Sequence, residues 1–301
     1  MKMGRPNGYR VTLFAGAPAK MSGILQIATA QIAIAMMLVL LGFSPGRSIG
    51  AEMTTLSVSA ASDLRFVMQE LTTAFEKKHP KVKLKMTFSS SGNAAAQILQ
   101  NAPFDLFFSA DGSYILELEK RSKIDPSDVF VYAIGKLVVW GPTGLSLDFK
   151  TKGLRALLDP RIHKIAVANP SHAPYGRAAV SALQNAGIYS GVSAKLVYAE
   201  NVAQAAQYAQ AGSAQAGLIA KSLVVGSRLE TEGNYWEVPQ SQYEVLTQTA
   251  ALLNGQKKWT GSRLRNGLEF MEFVKSAEFK QMLDKNGFGI PEKIWTGKPS
   301  E

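Results

Sequence analysis

The sequence predicts an α/β protein of two lobes, each a mainly parallel sheet flanked by helices, and three observations lead to this prediction. Short apolar runs that alternate with polar residues recur between stretches in which apolar residues have helical spacing, as in doubly wound folds. Small polar residues follow several of the strands, where a turn into a helix belongs. Two long strand-like runs, 129–140 and 245–253, are expected to cross between two sheets and to form a hinge beside a cleft.

The first strand and the first helix show both periodicities. Leu56 and Val58 alternate with serines, and from Leu64 to Phe75 apolar residues recur at helical spacing. The helix is expected to end near Lys78, because the proline two residues later disfavours helical backbone before it. In chain order, further strands are predicted over 81–88, 103–111, 129–140, 164–168, 195–198, 215–220 and 245–253, a loop at 125–127, and further helices over 94–100, 114–121, 154–158, 177–185, 202–210 and 262–286.

Two turns of small polar residues lead from a strand into a helix. Ser62 and Asp63 lie where the first helix needs an N-cap, and residues 89–93 precede the second helix. The first N–H groups of a helix have no partner inside it, and the helix dipole adds partial positive charge there, so such a turn can bind an anion. Taken alone, each turn is more often a capping or solvated serine turn.

The composition limits the class of protein. With 301 residues, of which 46% are hydrophobic, the chain can form one large or two medium domains. It has no cysteine, which excludes disulfides, thiolate metal sites, a cysteine nucleophile and a lipid-modified cysteine. Half of the net charge of +10 lies in residues 1–51, which hold five basic residues and no acid. Elsewhere the basic residues are interspersed with acids, so no nucleic-acid partner is predicted.

Residues 1–51 are predicted to be a secretory signal peptide. The segment 23–43 is almost continuously apolar, and the residues before it include bases but no acid. Small residues at 49–51 form a suitable cleavage site, which predicts a mature start near Glu52; Met21 is a second possible start. An uncleaved membrane anchor is the alternative, since about 20 apolar residues span a bilayer.

Motifs of the common enzyme classes are missing. The sequence has no Gly-x-Ser-x-Gly elbow, no Walker loop and no His-Glu-x-x-His, and no paired acids near the polar turns, so an enzyme is not predicted. His172 has no second ligand at a metal spacing and is expected to be a surface loop residue. Arg65 and Arg177 follow two turns closely and are expected on solvated helix faces.

Six stretches share a common pattern of strand ends and turns. They are Ser59-Ala-Ala-Ser-Asp-Leu64, Phe88-Ser-Ser-Ser-Gly-Asn93, Ala102-Pro-Phe-Asp-Leu-Phe-Phe-Ser-Ala-Asp111, Tyr132-Ala-Ile-Gly-Lys-Leu-Val138, Asn169-Pro-Ser-His-Ala-Pro-Tyr-Gly176 and Ala199-Glu-Asn-Val202. Each is weak alone, but together and in this order they resemble the motifs of the periplasmic molybdate-binding proteins of ABC transporters. The resemblance covers essentially all of 54–291.

The resemblance implies a periplasmic-binding-protein (venus flytrap) fold, with 54–134 plus 246–301 as one lobe and 138–242 as the other. It implies a periplasmic receptor that holds a tetrahedral dianion, molybdate or tungstate, in the cleft. Such a receptor delivers its ligand to an ABC permease in the inner membrane, needs no cofactor and is by default a monomer.

The resemblance also implies which residues bind the oxyanion. No residue is expected to contact the metal of molybdate except through the oxygens of the anion. The implied contacts are the hydroxyls of Ser62, Ser91 and Tyr132 and the backbone N–H groups of Asp63, Tyr175 and Val202.

Two positions depart from the family pattern. One branch of the family has a tyrosine where this chain has Ala220, and we infer that the hydroxyl of Tyr132 takes that role; the alternative is that Tyr132 is a core residue of its strand. Position 63 is often uncharged in the family. Because a dianion repels a carboxylate, Asp63 is expected to turn outward and to cap its helix.

The donor-rich site predicts which oxyanions bind. Hydrogen phosphate needs an acceptor, so a site made almost wholly of donors favours molybdate, tungstate or sulfate, which are unprotonated at neutral pH. A sulfate receptor of the same architecture is therefore an alternative. A transcriptional regulator with this fold as its effector domain is another, but it needs a helix-turn-helix where this chain has an apolar leader.

Overall fold

The computed structural model describes residues 53–254 and 261–291. The predicted signal peptide over 1–51 and the proposed start at Glu52 lie outside the described residues. Within the described ranges, no helix is both long and apolar enough to cross a membrane.

Strands and helices alternate along most of the described chain. The strands are β1 (Thr54–Ala61), β2 (Val82–Ser89), β3 (Leu106–Ser109), β4 (Ile124–Gly135), β5 (Leu137–Pro142), β6 (Ile165–Ala168), β7 (Leu196–Ala199), β8 (Ala216–Ala220), β9 (Gly233–Glu237) and β10 (Leu246–Leu253). The α-helices are α1 (Arg65–Lys78), α2 (Ser91–Leu99), α3 (Gly112–Lys120), α4 (Phe149–Lys152), α5 (Pro174–Asn185), α6 (Tyr189–Val192), α7 (Val202–Gln210), α8 (Lys221–Val224), α9 (Arg228–Glu232), α10 (Gly261–Val274) and α11 (Ala277–Lys285). Short 3₁₀ turns cover Ser62–Leu64, Thr143–Leu145, Gly153–Leu158, Ser193–Lys195 and Gln240–Gln242.

The strands form two five-stranded sheets, which confirms the predicted two-lobed α/β fold. Sheet A has the order β2-β1-β3-β10-β4, and sheet B has the order β7-β6-β8-β5-β9. We call each sheet with its flanking helices lobe 1 and lobe 2, respectively. Each sheet is mixed, with two parallel and two antiparallel pairings, so the prediction that the sheets are mainly parallel is wrong. The antiparallel pairings all involve the strands that carry the chain between the lobes.

The predicted long strand over 129–140 crosses between the sheets. It is divided at Lys136 into β4 of sheet A and β5 of sheet B. The prediction that the second long run also crosses is wrong: it forms β10, which pairs with β3 and β4 of sheet A, and the residues between β9 and β10 make the return. The predicted loop at 125–127 belongs to β4 instead. A proline is tolerated there because β4 is an edge strand and its pairing with β10 is irregular at this point.

Large apolar side chains fill the space between each sheet and its helices. In lobe 1, Val67 and Phe75 are buried on one face of α1, and the Phe75 ring meets the Phe270 ring edge-on at 5.0 Å. In lobe 2, Trp140 of β5 is buried and its Nε1 donates to the carbonyl of Leu229 at 2.8 Å. Burial of one large apolar side chain stabilises the fold by about 1.5–3 kcal/mol. The two cores therefore hold the strand ends in fixed positions.

Four parallel strands end where helices begin. In lobe 1, β1 leads through a 3₁₀ turn into α1, and β2 leads into α2. In lobe 2, β6 leads into α5 and β7 leads into α7. Since ligands in such sheets bind outside the carboxyl ends of the strands, these four turns are the place to look for a site.

Candidate functional site

A cavity of ≈ 10 Å³ lies where the turns of the two lobes meet. Its wall is formed by Ala61, Ser62, Asp63, Ser89, Ser90, Ser91, Ala110, Ala173, Pro174, Tyr175 and Val202. Five of the six predicted site residues are among them; the sixth, Tyr132, is not. Ser89 and Ser90 were not singled out from the sequence, although they belong to the same predicted polar turn.

Two buried serines of lobe 1 have hydroxyl hydrogens available for an anion. The Oγ of Ser91 accepts a hydrogen bond from the backbone N–H of Ala110 at 3.0 Å. The Oγ of Ser62 accepts one from the N–H of Ala203, in the opposite lobe, at 3.3 Å. A hydroxyl that accepts through its oxygen can still donate its hydrogen. Both serines can therefore donate to an oxygen atom in the cavity.

Helix N-termini supply the other donors. Tyr175 and Val202 lie in the first turns of α5 and α7, and Ser91 is the first residue of α2. N–H groups at these positions have no partner within their own helix, and the helix dipoles favour an anion. The Asn201 side chain caps α7 by accepting from the N–H of Gln204 at 3.0 Å, so the cap does not occupy the N–H of Val202, which lies in the cavity wall.

A glycine allows α5 to approach the end of β6. A Cβ added at Gly176 would lie 2.3 Å from the carbonyl oxygen of Ala168 and 2.8 Å from the backbone of Asn169. Any side chain would therefore push the helix away from the strand. The Pro-Tyr-Gly sequence at 174–176 thus fixes the position of the Tyr175 N–H.

Asp63 is buried, so the expectation that it turns outward is wrong. Its side chain is 1% exposed, and its Oδ2 accepts a hydrogen bond from Nε2 of Gln248 at 2.7 Å. Its backbone carbonyl accepts from the Ser222 hydroxyl at 2.9 Å. No side-chain cap bond forms at this turn. The expectation failed because Gln248, on β10, offers the carboxylate a polar partner inside the protein.

Asp63 is also the only ionisable carboxylate in the cavity wall, and that wall has no basic side chain in the part of the chain that the structure describes. Burial raises the pKa of Asp63 to about 6, although the Tyr175 hydroxyl, the Gln248 amide and nearby backbone N–H groups act in the opposite direction. The Asp63 carboxyl and the Tyr175 hydroxyl influence each other electrostatically, yet Oδ1 of Asp63 and the Tyr175 hydroxyl are both buried without a hydrogen bond of good geometry. A negative charge on this carboxyl group is therefore poorly compensated by its surroundings.

Tyr132 lies behind the cavity wall. Its hydroxyl donates to Oε1 of Gln248 at 3.3 Å, and its ring meets the Phe108 ring edge-on at 5.6 Å. Burial, and secondarily the charge of Asp63, raise the pKa of Tyr132 well above its ordinary value, so it remains a donor. The resulting chain runs from Tyr132 through Gln248 to Asp63. Sequence analysis missed Gln248, although a glutamine inside the apolar run of β10 was a usable signal.

Several hydrogen bonds join the two lobes across the cleft. The N–H of Gly92 donates to the carbonyl of His172 at 2.9 Å, and the Ser90 hydroxyl lies 2.9 Å from Nδ1 of the same histidine. Arg177 forms an ion pair with Asp111 and donates to the Tyr114 hydroxyl at 2.9 Å. The expectation of a solvated Arg177 and a surface His172 is therefore corrected: both bridge the lobes. The structure describes a closed cleft.

Arg65 agrees with its expectation. It is exposed, and its guanidinium lies over the Phe88 ring at 5.4 Å. Larger cavities occur away from the converging donors; one of ≈ 170 Å³ is lined by Asp111, Arg177 and Glu244 among others. Two acids in that wall disfavour an anion, so the small central cavity is the better candidate.

Asp63→Asn is expected to stabilise the protein at pH 8 but not at pH 4. The pKa of Asp63 is about 6 in the folded protein against a reference value of 3.8. Above pH 6 the folded state therefore carries the cost of a buried charge, up to about 3 kcal/mol, and below pH 4 the carboxyl is protonated in both states. Urea unfolding at pH 4, 6 and 8 measures this difference.

The exposed Asp284 is a matched control for this prediction. Asp284→Asn should change the free energy of unfolding by a similar small amount at all three pH values. If Asp63→Asn is equally stable or less stable than the unmodified protein at pH 8, the buried carboxylate is better compensated than its contacts indicate.

The chain is similar to proteins of known binding function. The family model of the bacterial extracellular solute-binding proteins matches residues 56–289. The molybdate-binding protein ModA of Rhodobacter capsulatus is 34% identical over 201 residues, which cover 67% of this chain and 75% of that protein. ModA of Azotobacter vinelandii is 30% identical over 241 residues, which cover 80% of this chain and 92% of that protein.

A solved structure gives the same picture at the level of the fold. The structure of the periplasmic molybdate-binding protein of Azotobacter vinelandii matches this chain with a TM-score of 0.71 and 29% sequence identity. The match covers 79% of this chain and 100% of that protein. The likeness therefore concerns both the sequence and the fold.

Proposed function

Because this chain belongs to the family of bacterial extracellular solute-binding proteins, we propose that it captures molybdate and delivers it to an ABC permease for import. The observation that carries the proposal is the central cavity, in which two serine hydroxyls and three helix N-termini converge without a basic side chain among the described residues. The names and identities of the relatives support molybdate as the ligand.

The binding chemistry rests on neutral donors. A buried dianion needs compensation, because an isolated charge inside a protein is very costly. Hydrogen bonds from the hydroxyls of Ser62 and Ser91 and from the N–H groups of Asp63, Tyr175 and Val202 are charge-assisted, about twice as strong as neutral ones. These five residues are the proposed oxyanion contacts. Tyr132 acts behind them by orienting Gln248.

Binding requires the lobes to separate and close again. A cavity of ≈ 10 Å³ is about the size that a single water needs, and a tetrahedral oxyanion is larger. The hydrogen bond from the N–H of Ala203 to Oγ of Ser62 spans the cleft and must break when the lobes separate. Closure around a ligand by a hinge motion is the usual response of such receptors. The hinge proposed here is the pair of chain crossings, with 54–134 plus 246–301 on one side and 138–242 on the other.

The remaining parts of the proposal follow from the family. We propose a periplasmic location, reached through the apolar leader, tungstate as a second ligand, an inner-membrane permease as the partner, and a monomer without a cofactor. Since the family comprises solute-binding proteins rather than enzymes, capture and release without turnover is the proposed activity. The metal of molybdate is held only through the oxygens of the anion.

Calorimetric titration of the purified full chain with molybdate, tungstate, sulfate and phosphate in parallel tests the function. Tight binding of the first two alone is the expected result. Binding of sulfate instead would make this chain a sulfate receptor with the same donor set. Phosphate belongs in the series because a carboxylate inside the cavity wall can accept a hydrogen bond from a protonated ligand. Phosphate binding alone would overturn the assigned ligand.

A further inference from the structure

The carboxyl group of Asp63 has no role in the binding chemistry described so far, which uses only its backbone N–H. The side chain nevertheless lies in the cavity wall beside Ser62 and is almost completely buried. None of the ion pairs in the described ranges involves Asp63. The Asp63 carboxylate would therefore be a second negative group, with no ion-pair partner, at the place where a dianion is to bind.

The surroundings of the carboxyl are asymmetric. Oδ2 accepts from the Gln248 amide, whose orientation is fixed because its Oε1 accepts from the Tyr132 hydroxyl. Oδ1 has no hydrogen-bond partner among the described residues, and neither has the neighbouring Tyr175 hydroxyl. A proton on Oδ1 would convert the carboxylate, which can only accept hydrogen bonds, into a carboxylic acid. The acid could donate either to the Tyr175 oxygen or to the ligand.

The Tyr175 hydroxyl and the Gln248 amide are packed closely against Gly135. A Cβ added at Gly135 would lie 2.5 Å from the Tyr175 hydroxyl oxygen and 2.9 Å from Nε2 of Gln248. Gly135 ends β4 at the crossing between the lobes, whereas Tyr175 belongs to lobe 2. The Tyr175 hydroxyl is therefore packed against the Asp63 region only while the cleft is closed, and closure itself removes the carboxyl from water.

We propose that Asp63 takes up a proton from the solvent when the cleft closes on a tetrahedral dianion, so that the protein binds the dianion and one proton together. This inference rests on the proposed function and identifies how the same site tolerates its own carboxyl group. The proton removes the repulsion between the carboxylate and the ligand. It also supplies one more donor to a site that is built from donors.

The groups that face Asp63 from its neighbouring elements support this assignment. Tyr132 on β4 and Tyr175 on α5 are phenols that stay protonated, because burial raises the pKa of both. Gln248 on β10 is neutral. The cavity environment already raises the pKa of Asp63 to about 6, and a dianion beside it raises that value further.

The charged residues on the other neighbouring elements point elsewhere. On α1, Arg65 is exposed over the Phe88 ring. On α8, Lys221 pairs with Glu237 through Nζ. The helix α7 contains no charged residue. Nδ1 of His172 lies 2.9 Å from the Ser90 hydroxyl, so the imidazole is another ionisable side chain near the cavity wall.

Titration calorimetry with molybdate at pH 7 in PIPES, HEPES and Tris, whose ionisation enthalpies differ, tests the proposal on the full chain. The slope of the observed enthalpy against the buffer ionisation enthalpy gives the number of protons taken up. A value close to one is expected for the unmodified protein and close to zero for Asp63→Asn, while the control Asp284→Asn keeps a value close to one. Binding with no uptake by the unmodified protein, or uptake that persists in Asp63→Asn and so belongs to another group, would overturn it.

The pH dependence of affinity provides a second test that needs no variant. With one proton bound, the dissociation constant of the unmodified protein should rise about tenfold per pH unit between the pKa of the free and that of the bound state. Measurements from pH 6 to 8 are expected to show this rise, and a flat profile overturns the proposal. Absence of binding by every oxyanion is a different result, because it defeats the proposed function itself.

Discussion

Replacing Ser62 and Ser91 together by alanine is expected to weaken molybdate binding by about two to four orders of magnitude. Each hydroxyl is buried in the cavity wall and can donate to the anion. A hydrogen bond to a charged group contributes about 1.5–3 kcal/mol, and about 1.4 kcal/mol corresponds to a tenfold change in affinity. Calorimetric titration of the double variant measures the loss directly.

The control for this variant must separate binding from folding. Both serine oxygens also accept backbone N–H bonds, so the double variant should lose some stability as well. Ser59→Ala is a matched substitution, because Ser59 is buried in β1, the strand that leads into Ser62, and its hydroxyl oxygen has no partner in the described structure. It should keep the affinity. If the double variant folds and binds as tightly as the unmodified protein, neither serine contacts the ligand.

Gly92→Ala is expected to weaken binding by about ten- to a hundredfold while leaving the separate lobes folded. An added Cβ would lie 2.6 Å from the His172 carbonyl oxygen, which belongs to the opposite lobe, and 2.7 Å from the Tyr114 hydroxyl. The closed cleft would have to reopen slightly, and such overpacking costs about 1–3 kcal/mol. The open protein pays little, since alanine favours the helix more than glycine does. Calorimetry measures the affinity, and small-angle X-ray scattering measures the closure.

Gly144→Ala is the matched control for Gly92→Ala. A Cβ added at Gly144 meets nothing within 4 Å. This variant should bind and close like the unmodified protein. Normal affinity in Gly92→Ala would mean that the ligand is held in an arrangement more open than the one described here.

The elements with strong periodicity could be predicted from the sequence. The first helix ends at Lys78, as predicted from the following proline, and α7 covers 202–210, as predicted. The strand β9 was missed because Gly233–Glu237 lies at a sheet edge, is only partly buried and lacks a clear alternation. Exposure on both faces removes the pattern that sequence analysis uses.

The turns of the candidate site could be predicted from the sequence, but the residues that lie behind those turns could not. Turn residues such as Ser62 and Ser91 are recognisable because a strand end, small polar residues and a helix start follow one another. The partner of Asp63 lies 185 residues away in the chain. The prediction considered only two orientations of this carboxylate, toward the ligand or toward solvent. The carboxylate instead points into the protein, because β10 brings Gln248 beneath the turn.

The bridging roles of His172 and Arg177 could not be derived from local sequence. Their partners, Ser90 for the histidine and Asp111 with Tyr114 for the arginine, belong to the opposite lobe. A residue on a helix or loop that faces solvent in one lobe alone becomes half-buried only when the other lobe is present. Contacts of this kind depend on tertiary structure, which periodicity does not report.

The strand order of sheet A has a consequence for the order of folding. β10 lies between β3 and β4, so the sheet is complete only after residues 246–253 have joined it. The strands of sheet B, by contrast, form one continuous stretch of chain from β5 to β9. A chain that emerges from its amino terminus can therefore assemble lobe 2 while lobe 1 still has a gap beside β3. The unpaired backbone groups at that edge of β3 are where a chaperone, or an aggregating neighbour, would bind the unfinished protein.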